Sequence, residues 1–191
     1  MISRFIRPAL CLLVAMTCLL GIVYPLLITG AAHLAFAHRA AGSLLYQDGK
    51  AIGSSLIGQH FSDPKYFWGR PSATSLAPYN GLASGGSNLG PLNSALVEQV
   101  KINVAALRSG NPAGVAPIPV DLVTASASGL DPDISPAGAR YQIARVARAR
   151  GIAAESLEKL VAAHVREKLL GMIGERRVNV LELNLALDQL H

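Results

Sequence analysis

The residues from Pro8 to Ala37, PALCLLVAMTCLLGIVYPLLITGAAHLAFA, include no Asp, Glu, Lys or Arg and a single histidine, His33. As a helix rising about 1.5 Å per residue this stretch reaches roughly 45 Å, against a bilayer hydrocarbon core of about 30 Å. It is long enough to span a membrane with turns to spare. Everything after it is then confined to one side, and that side limits the chemistry within reach.

Charges at the two ends of the stretch indicate which side. Arg4 and Arg7 precede it with no acidic residue to oppose them, whereas Arg39 and Lys50 follow with Asp48 between. The positive-inside rule places the N-terminus in the cytoplasm and the rest outside, which for a bacterial inner membrane means the periplasm. Ala35-Phe36-Ala37 has the small-x-small form of a signal-peptidase site. A signal h-region runs about 7–15 residues, however, and this one is nearly twice that, so a retained anchor is expected. Cleavage would leave the remainder outside all the same.

The chain therefore reads as a cytoplasmic N-terminus (1–7), a transmembrane helix (8–37) and a soluble extracytoplasmic domain (38–191). The helix also carries a packing pattern. Leu13, Thr17, Gly21, Pro25 and Thr29 recur every four residues, and small or hydroxylated side chains let a second backbone come close. Thr17, Gly21, Tyr24 and Pro25 are the expected contact face. Pro25 removes one donor and crowds the carbonyl of Gly21, so a local bend is expected there.

About 150 residues remain for one domain, enough for a core without disulfides. Both cysteines, Cys11 and Cys18, lie in the apolar stretch. Two helical turns put them about 10 Å apart, too far to bridge. A soluble part without cysteine suits an oxidising compartment. The net charge of +5 is unevenly spread: residues 111–139 hold Asp121, Asp131 and Asp133 but no Lys or Arg, and Arg140, Arg145, Arg148 and Arg150 follow. Tyr141 is the one aromatic residue among these arginines, too little interleaving for a nucleic-acid surface, so they read as a solvated helix face.

Ser43–Gln47, Asp48-Gly49 and Lys50–Ile57 read as a hairpin closed by a type I′ turn. Residues 61–93 are rich in Gly, Ser, Pro and Asn and have no periodicity, yet they contain Phe61, Tyr66, Phe67, Trp68 and Tyr79, half of the chain's ten aromatics. Disordered segments are poor in aromatic residues, so an ordered irregular surface is expected. Asn93 or Ser94 caps a helix to about Ser109, ended by Gly110 and Pro112. Val120–Thr124 reads as a short strand. Ser135 and Pro136 open a helix that stops at Gly151. A helix over Ala154–Leu170 buries Leu157, Leu160, Val161, Val165 and Leu169. The tail reads as a strand near Val178–Leu181 and then a short helix. The fold class is α+β: one N-terminal transmembrane helix and a single mixed α/β domain.

No phosphate-loop, dinucleotide or nucleophile-elbow motif is present. The histidines at 33, 38, 60, 164 and 191 have no metal-ligand spacing. No catalytic residue, metal site or covalently bound cofactor is expected. His164 reads as a core or boundary residue. Two loops stand out. In the first, Ser84, Gly85, Gly86, Ser87, Asn88 and Gly90 offer clustered backbone N–H groups and hydroxyls that could hold an anion, or serve as tight turns. In the second, Ser128, Asp131 and Asp133, with Asp121 upstream, could draw cations or bond their own backbone.

Taken together, ordered motifs over nearly the whole chain resemble the C subunit of the bacterial Kdp-type potassium-transporting ATPase. They include Gly21-Ile22-Val23-Tyr24-Pro25-Leu26, Gly53-Ser54 with Leu56-Ile57-Gly58-Gln59, Phe67-x-x-Arg70-Pro71-Ser72-Ala73 and Tyr79-Asn80. Ser84 through Pro91 with Asn93, Asp121-Leu122-Val123-Thr124-Ala125-Ser126 and Ser128-Gly129-Leu130-Asp131-Pro132 continue the series. Ile134-Ser135-Pro136, Arg145-Val146-Ala147 and Arg177-Val178-Asn179-Val180-Leu181-x-Leu183-Asn184 complete it. Ala127 stands where that family more often has glycine. The resemblance implies an accessory subunit of a four-component inner-membrane pump. Its partners would be a channel-like potassium-translocating subunit, a P-type subunit that hydrolyses ATP and a small single-span subunit. The D-K-T-G phosphorylation motif is missing, as expected of an accessory subunit. One role implied is a catalytic chaperone that raises ATP affinity through Ser84–Pro91. The other is an outward domain that stabilises the complex or tunes potassium access. ATP is cytoplasmic while the charge asymmetry puts the loop outside, which disfavours ATP as a ligand.

Overall fold

Helix α1 (Ser3–Cys18) passes into helix α2 (Tyr24–Ala40) through one π-helical turn, Leu19–Val23, with the Tyr24 N–H donating to the Leu19 carbonyl. The structure, a computed structural model, describes residues 3–110 and 116–190. It divides into two compact units, residues 1–44 and 45–191.

In the first unit the widened turn contains Gly21 and ends two residues before Pro25. The bend expected there takes the form of a π turn, which accommodates the proline without breaking the helix. The backbone leaves helical geometry further on, at Phe36 (φ −139°). Residues Arg4–Ala40 have a mean hydropathy of 2.5 in their most apolar window, long and apolar enough to cross a membrane. Every side chain from Arg4 to Ala31 is exposed within this chain.

The second unit opens with the hairpin β1 (Leu44–Gln47) and β2 (Lys50–Ser54), whose turn residues Asp48 and Gly49 both have positive φ (49° and 75°). That is the type I′ signature expected from Asp-Gly. Strand β2 ends at Ser54, short of the expected Ile57. Residues 55–93 form no helix or strand. Helix α3 (Ser94–Gly110) is capped by Asn93, whose Oδ1 accepts from the Ala95 N–H at 2.9 Å. Pro112, expected to help end it, lies outside the described residues. Val120–Leu122 is a 3₁₀ turn and not the expected strand. Its N–H groups bond back to Pro119 and Val120, leaving no ladder for a partner.

Beyond it, β3 (Asp133–Ile134), β4 (Val165–Arg166) and β5 (Arg177–Asn179) form an antiparallel sheet in the order β3-β5-β4. Val178 sits opposite Ile134 on one side and Val165 on the other. Helix α4 (Pro136–Arg150) begins at Ser135, whose hydroxyl accepts from the Gly138 N–H, and ends at a left-handed Gly151, as expected. Helix α5 is shorter than expected, Ala154–Ala163. Pairing of Val165 with Val178 draws the chain into β4, so tertiary contact overrides helical periodicity, and Leu169 is exposed instead of buried. His164 closes α5 at the boundary of the core, its Nδ1 2.8 Å from the Leu160 carbonyl. Helix α6 (Val180–Asp188) follows β5 and presents Val180, Leu183, Asn184 and Leu187 to the interior. The core joins these to Leu107, Leu122, Ile134, Ile143, Val146, Leu157, Val161 and Phe67.

Phe67 comes from the irregular segment, and two buried amides hold it. Asn184 accepts from the Phe67 N–H and donates to the Phe67 carbonyl, both at 2.9 Å. Gln142 does the same for Trp68, at 2.8 and 3.0 Å. The amide side chains take the place of a neighbouring strand. Removing one leaves a buried N–H and C=O unmatched, at about 1–3 kcal/mol each. Asn184→Ala is therefore expected to lower stability by about 3 kcal/mol, read as a shifted urea midpoint of the detergent-solubilised full chain.

Candidate functional site

The two loops singled out in the sequence meet. Gly85 donates its N–H to the Ser128 carbonyl at 2.9 Å, and the Ser84 hydroxyl donates to the same oxygen at 3.0 Å. A Cβ on Gly86 would stand 2.8 Å from the Ala127 carbonyl oxygen. A Cβ on Gly129 would stand 2.6 Å from the Gly85 carbonyl oxygen, and Gly129 has a φ of +67°. Glycine is thus needed on both sides because the two backbones touch. Ser87, Asn88 and Gly90 lie at the exposed tip of the first loop, with Asn88 left-handed (φ 52°) and open space around Gly90.

Arg70 and Ser72 tie the irregular segment to the second loop. The Arg70 guanidinium pairs with Asp131 at 3.0 Å and donates to the Ala125 carbonyl at 3.3 Å, while its Nε is buried without a partner. Ser72 donates to the Gly129 carbonyl at 2.7 Å and accepts from the Tyr79 N–H at 2.9 Å. The Tyr79 hydroxyl donates to the Arg70 carbonyl at 2.6 Å. Its ring leaves no room for a Cβ on Gly58 or Gly69. Burial, reinforced by the Asp131 charge, pushes the Tyr79 pKa up to about 12, so it stays a neutral donor.

The acidic residues are committed locally. Asp121 accepts from the Ser135 N–H at 2.7 Å, at the start of α4, where a carboxylate complements the helix dipole. Asp131 accepts from the Asp133 N–H at 3.0 Å in addition to its pair with Arg70. Asp133 pairs with Arg177 at 2.9 Å, across β3 and β5. Its second oxygen is buried without a partner, and burial followed by the Asp131 charge raises its pKa above the ordinary 3.8. Among the described residues, no group of three or more His, Cys, Asp or Glu side chains is placed to hold a metal ion.

The residues that matter most here are ones the sequence reading did not single out as a site. Besides Gln142 and Asn184 there is Arg145, buried, with its guanidinium 3.9 Å over the Trp68 ring. It donates to the Pro64 carbonyl at 2.5 Å and to Gln142 Oε1 at 2.6 Å. Burial brings its pKa down to about 10, against the opposing influence of Asp63, so it remains cationic at neutral pH. The available signal was a polar residue on an apolar helix face: Gln142 beside Ala139, Ile143 and Val146, and Asn184 beside Leu183 and Leu187. Between α3 and this segment lies an open cleft of about 390 Å³, lined by Gln59, Phe61, Trp68, Arg70, Tyr79 and Asn103 among others. None of residues 84–90 lines it.

The other predicted face, on the first unit, consists of Thr17, Gly21, Tyr24 and Pro25, all exposed within this chain. Apart from its chain neighbours Leu20 and Ile22 and the helix's own backbone, no atom of the described residues lies within 4 Å of where a Gly21 Cβ would stand.

Comparison with known proteins gives a consistent result. The family profile of the K+-transporting ATPase c chain, KdpC, matches residues 6–189. The potassium-transporting ATPase KdpC subunit of Variovorax paradoxus (strain S110) is 61% identical over 186 residues, covering 97% of this chain and 96% of the relative. That of Sorangium cellulosum (strain So ce56) is 61% identical over 183 residues, covering 96% of each. That of Polaromonas naphthalenivorans (strain CJ2) is 60% identical over 188 residues, covering 98% and 96%.

Two measurements check this geometry. Gly129→Ala adds a methyl group against backbone at a left-handed position and is expected to cost about 2 kcal/mol or more, visible as a lowered thermal midpoint. Asp133 has a raised folded-state pKa, so its contribution to stability is greatest below its ordinary value of 3.8 and falls as pH rises through the raised value. In urea titrations between about pH 3 and pH 7, the stability of Asp133→Asn relative to the unsubstituted chain is expected to rise with pH.

Proposed function

Because this chain belongs to the KdpC family of K+-transporting ATPase c chains, we propose that it is an accessory, non-catalytic subunit of a high-affinity, ATP-driven potassium uptake complex. In this reading residues 8–37 cross the inner membrane once, with the N-terminus in the cytoplasm and residues 38–191 in the periplasm. The subunit helps assemble and stabilise the pump and tunes potassium access at the outer face. Its partners are the channel-like potassium-translocating subunit, the P-type subunit that hydrolyses ATP and the small single-span subunit. The Thr17, Gly21, Tyr24 and Pro25 face is the membrane-embedded contact.

One observation carries this reading over a role in raising ATP affinity. The glycine–serine loop uses its Gly85 N–H and the open side of Gly86 to dock onto residues 126–129. A phosphate cradle needs those same backbone donors free and convergent. The loop is better described as a structural joint than as a nucleotide clamp. The charge asymmetry around the membrane segment supports the same side of the question, since ATP is cytoplasmic.

Substitution at Gly21 gives a clean test. A larger side chain there meets nothing in this chain, so Gly21→Leu is expected to leave its own expression and fold intact while reducing co-purification with the pump by about tenfold. Undiminished co-purification would overturn the proposed contact. In the same cells, a reporter active only in the cytoplasm, fused after His191, is expected to be silent. Strong activity would reverse the topology and reopen the ATP-affinity role.

A further inference from the structure

Between β4 and β5 the chain makes a tight hairpin that leaves the core. Leu169 donates its N–H to the Ile173 carbonyl at 2.9 Å and receives the Ile173 N–H at 3.0 Å. Leu170 and Gly171 turn the corner with positive φ (53° and 75°). The side chains carried on this brace are Leu169, Leu170, Met172 and Ile173, exposed by 66, 80, 79 and 61%. Four large apolar residues on five positions of hydrogen-bonded backbone form an exposed cluster that the fold itself does not use. Helix periodicity gives no account of them, because the helix expected to bury Leu169 ends at Ala163.

Just behind the tip the character changes. Lys168 pairs with Glu175 at 3.5 Å and Arg176 with Glu167 at 2.7 Å, so ion pairs cross the neck of the hairpin. The other two basic residues of this stretch, Arg166 and Arg177, pair with Glu182 and Asp133, so each cation at the neck is matched within the chain. An apolar tip on a neck of charged, internally paired residues is the pattern of an element that enters a membrane interface to a limited depth. A narrow protruding turn suits a deformable lipid phase better than the flat, close-packed area a protein partner needs. The same chain carries a segment able to span a bilayer, which keeps the hairpin at high effective concentration near lipid.

We propose that the Leu169–Ile173 hairpin tip is a second membrane contact, inserting its apolar side chains among lipid acyl chains while its charged, internally paired neck stays at the level of the headgroups. This rests on the reading that residues 8–37 span the membrane.

The test uses spin labels on the full chain in vesicles of phosphatidylcholine with phosphatidylglycerol. With Cys11→Ser and Cys18→Ser as background, a label at Met172→Cys is expected to meet a water-soluble nickel chelate about fivefold less often than one at Lys101→Cys. Adding Leu170→Asp and Ile173→Asp is expected to abolish that difference. Equal accessibility at the two positions would overturn the proposal. So would a label at position 172 that is accessible in vesicles and shielded only when the other pump subunits are present, since that marks a protein contact. A label on the native Cys18, in a chain carrying Cys11→Ser alone, separates the two layers of the argument. If it is accessible to the chelate, the spanning reading fails. If it is shielded while position 172 is accessible, the tip alone fails.

Discussion

The main chain of Phe67 and Trp68 runs through the interior without a strand beside it, and the amides of Asn184 and Gln142 hydrogen-bond it in the way a strand would. A buried peptide group left unmatched costs about 1–3 kcal/mol, so a segment with no regular structure can enter a core only if something else supplies partners. Here the partners come from α6 and α4, helices that follow it in the chain by more than seventy residues. Arg145 then covers the Trp68 ring and bonds both Gln142 and the Pro64 carbonyl. The segment is ordered because the end of the chain folds onto it.

What lies downstream depends on that attachment. Arg70 is two residues beyond Trp68, and its pair with Asp131 holds the second loop. Ser72 and Tyr79 add bonds to the same region, and the glycine–serine loop closes against residues 127–129. Backbone rests directly on backbone here, which makes the glycines architectural. The surface organised in this way also carries Leu76, Leu82 and Leu92 almost fully exposed. The hairpin between β4 and β5 adds a separate apolar group with no interior role.

Much of this was legible in local chemistry. The apolar stretch, the Asp-Gly turn, the Asn93 and Ser135 caps and the Gly151 stop all depend on a few adjacent residues, and each forms where expected. The order of the 61–93 segment could be inferred from its aromatic content, though not the means by which it is held. Where expectation and structure part, non-local pairing decided the outcome. Val165 pairs with Val178 and ends α5 early, and residues 120–122 close on themselves as a 3₁₀ turn instead of joining a sheet. Asp121, grouped with the other acidic residues by sequence, belongs instead to the start of α4.

Sequence by itself determined that a segment of this chain can cross a bilayer, that the rest suffices for one α+β domain, and which family the chain resembles. Those properties are carried by hydrophobicity summed over a window and by residue order, and neither needs a partner to be known. Tertiary structure alone decided that the two loops meet, that their glycines serve contact between backbones, and that Gln142, Arg145 and Asn184 organise the interior. Hydrogen bonds between residues far apart in the chain have no local signature, because any of many polar side chains could have made them. It also decided that Leu169, Leu170, Met172 and Ile173 face outward, since the strand pairing that ends the helix leaves them beyond the core.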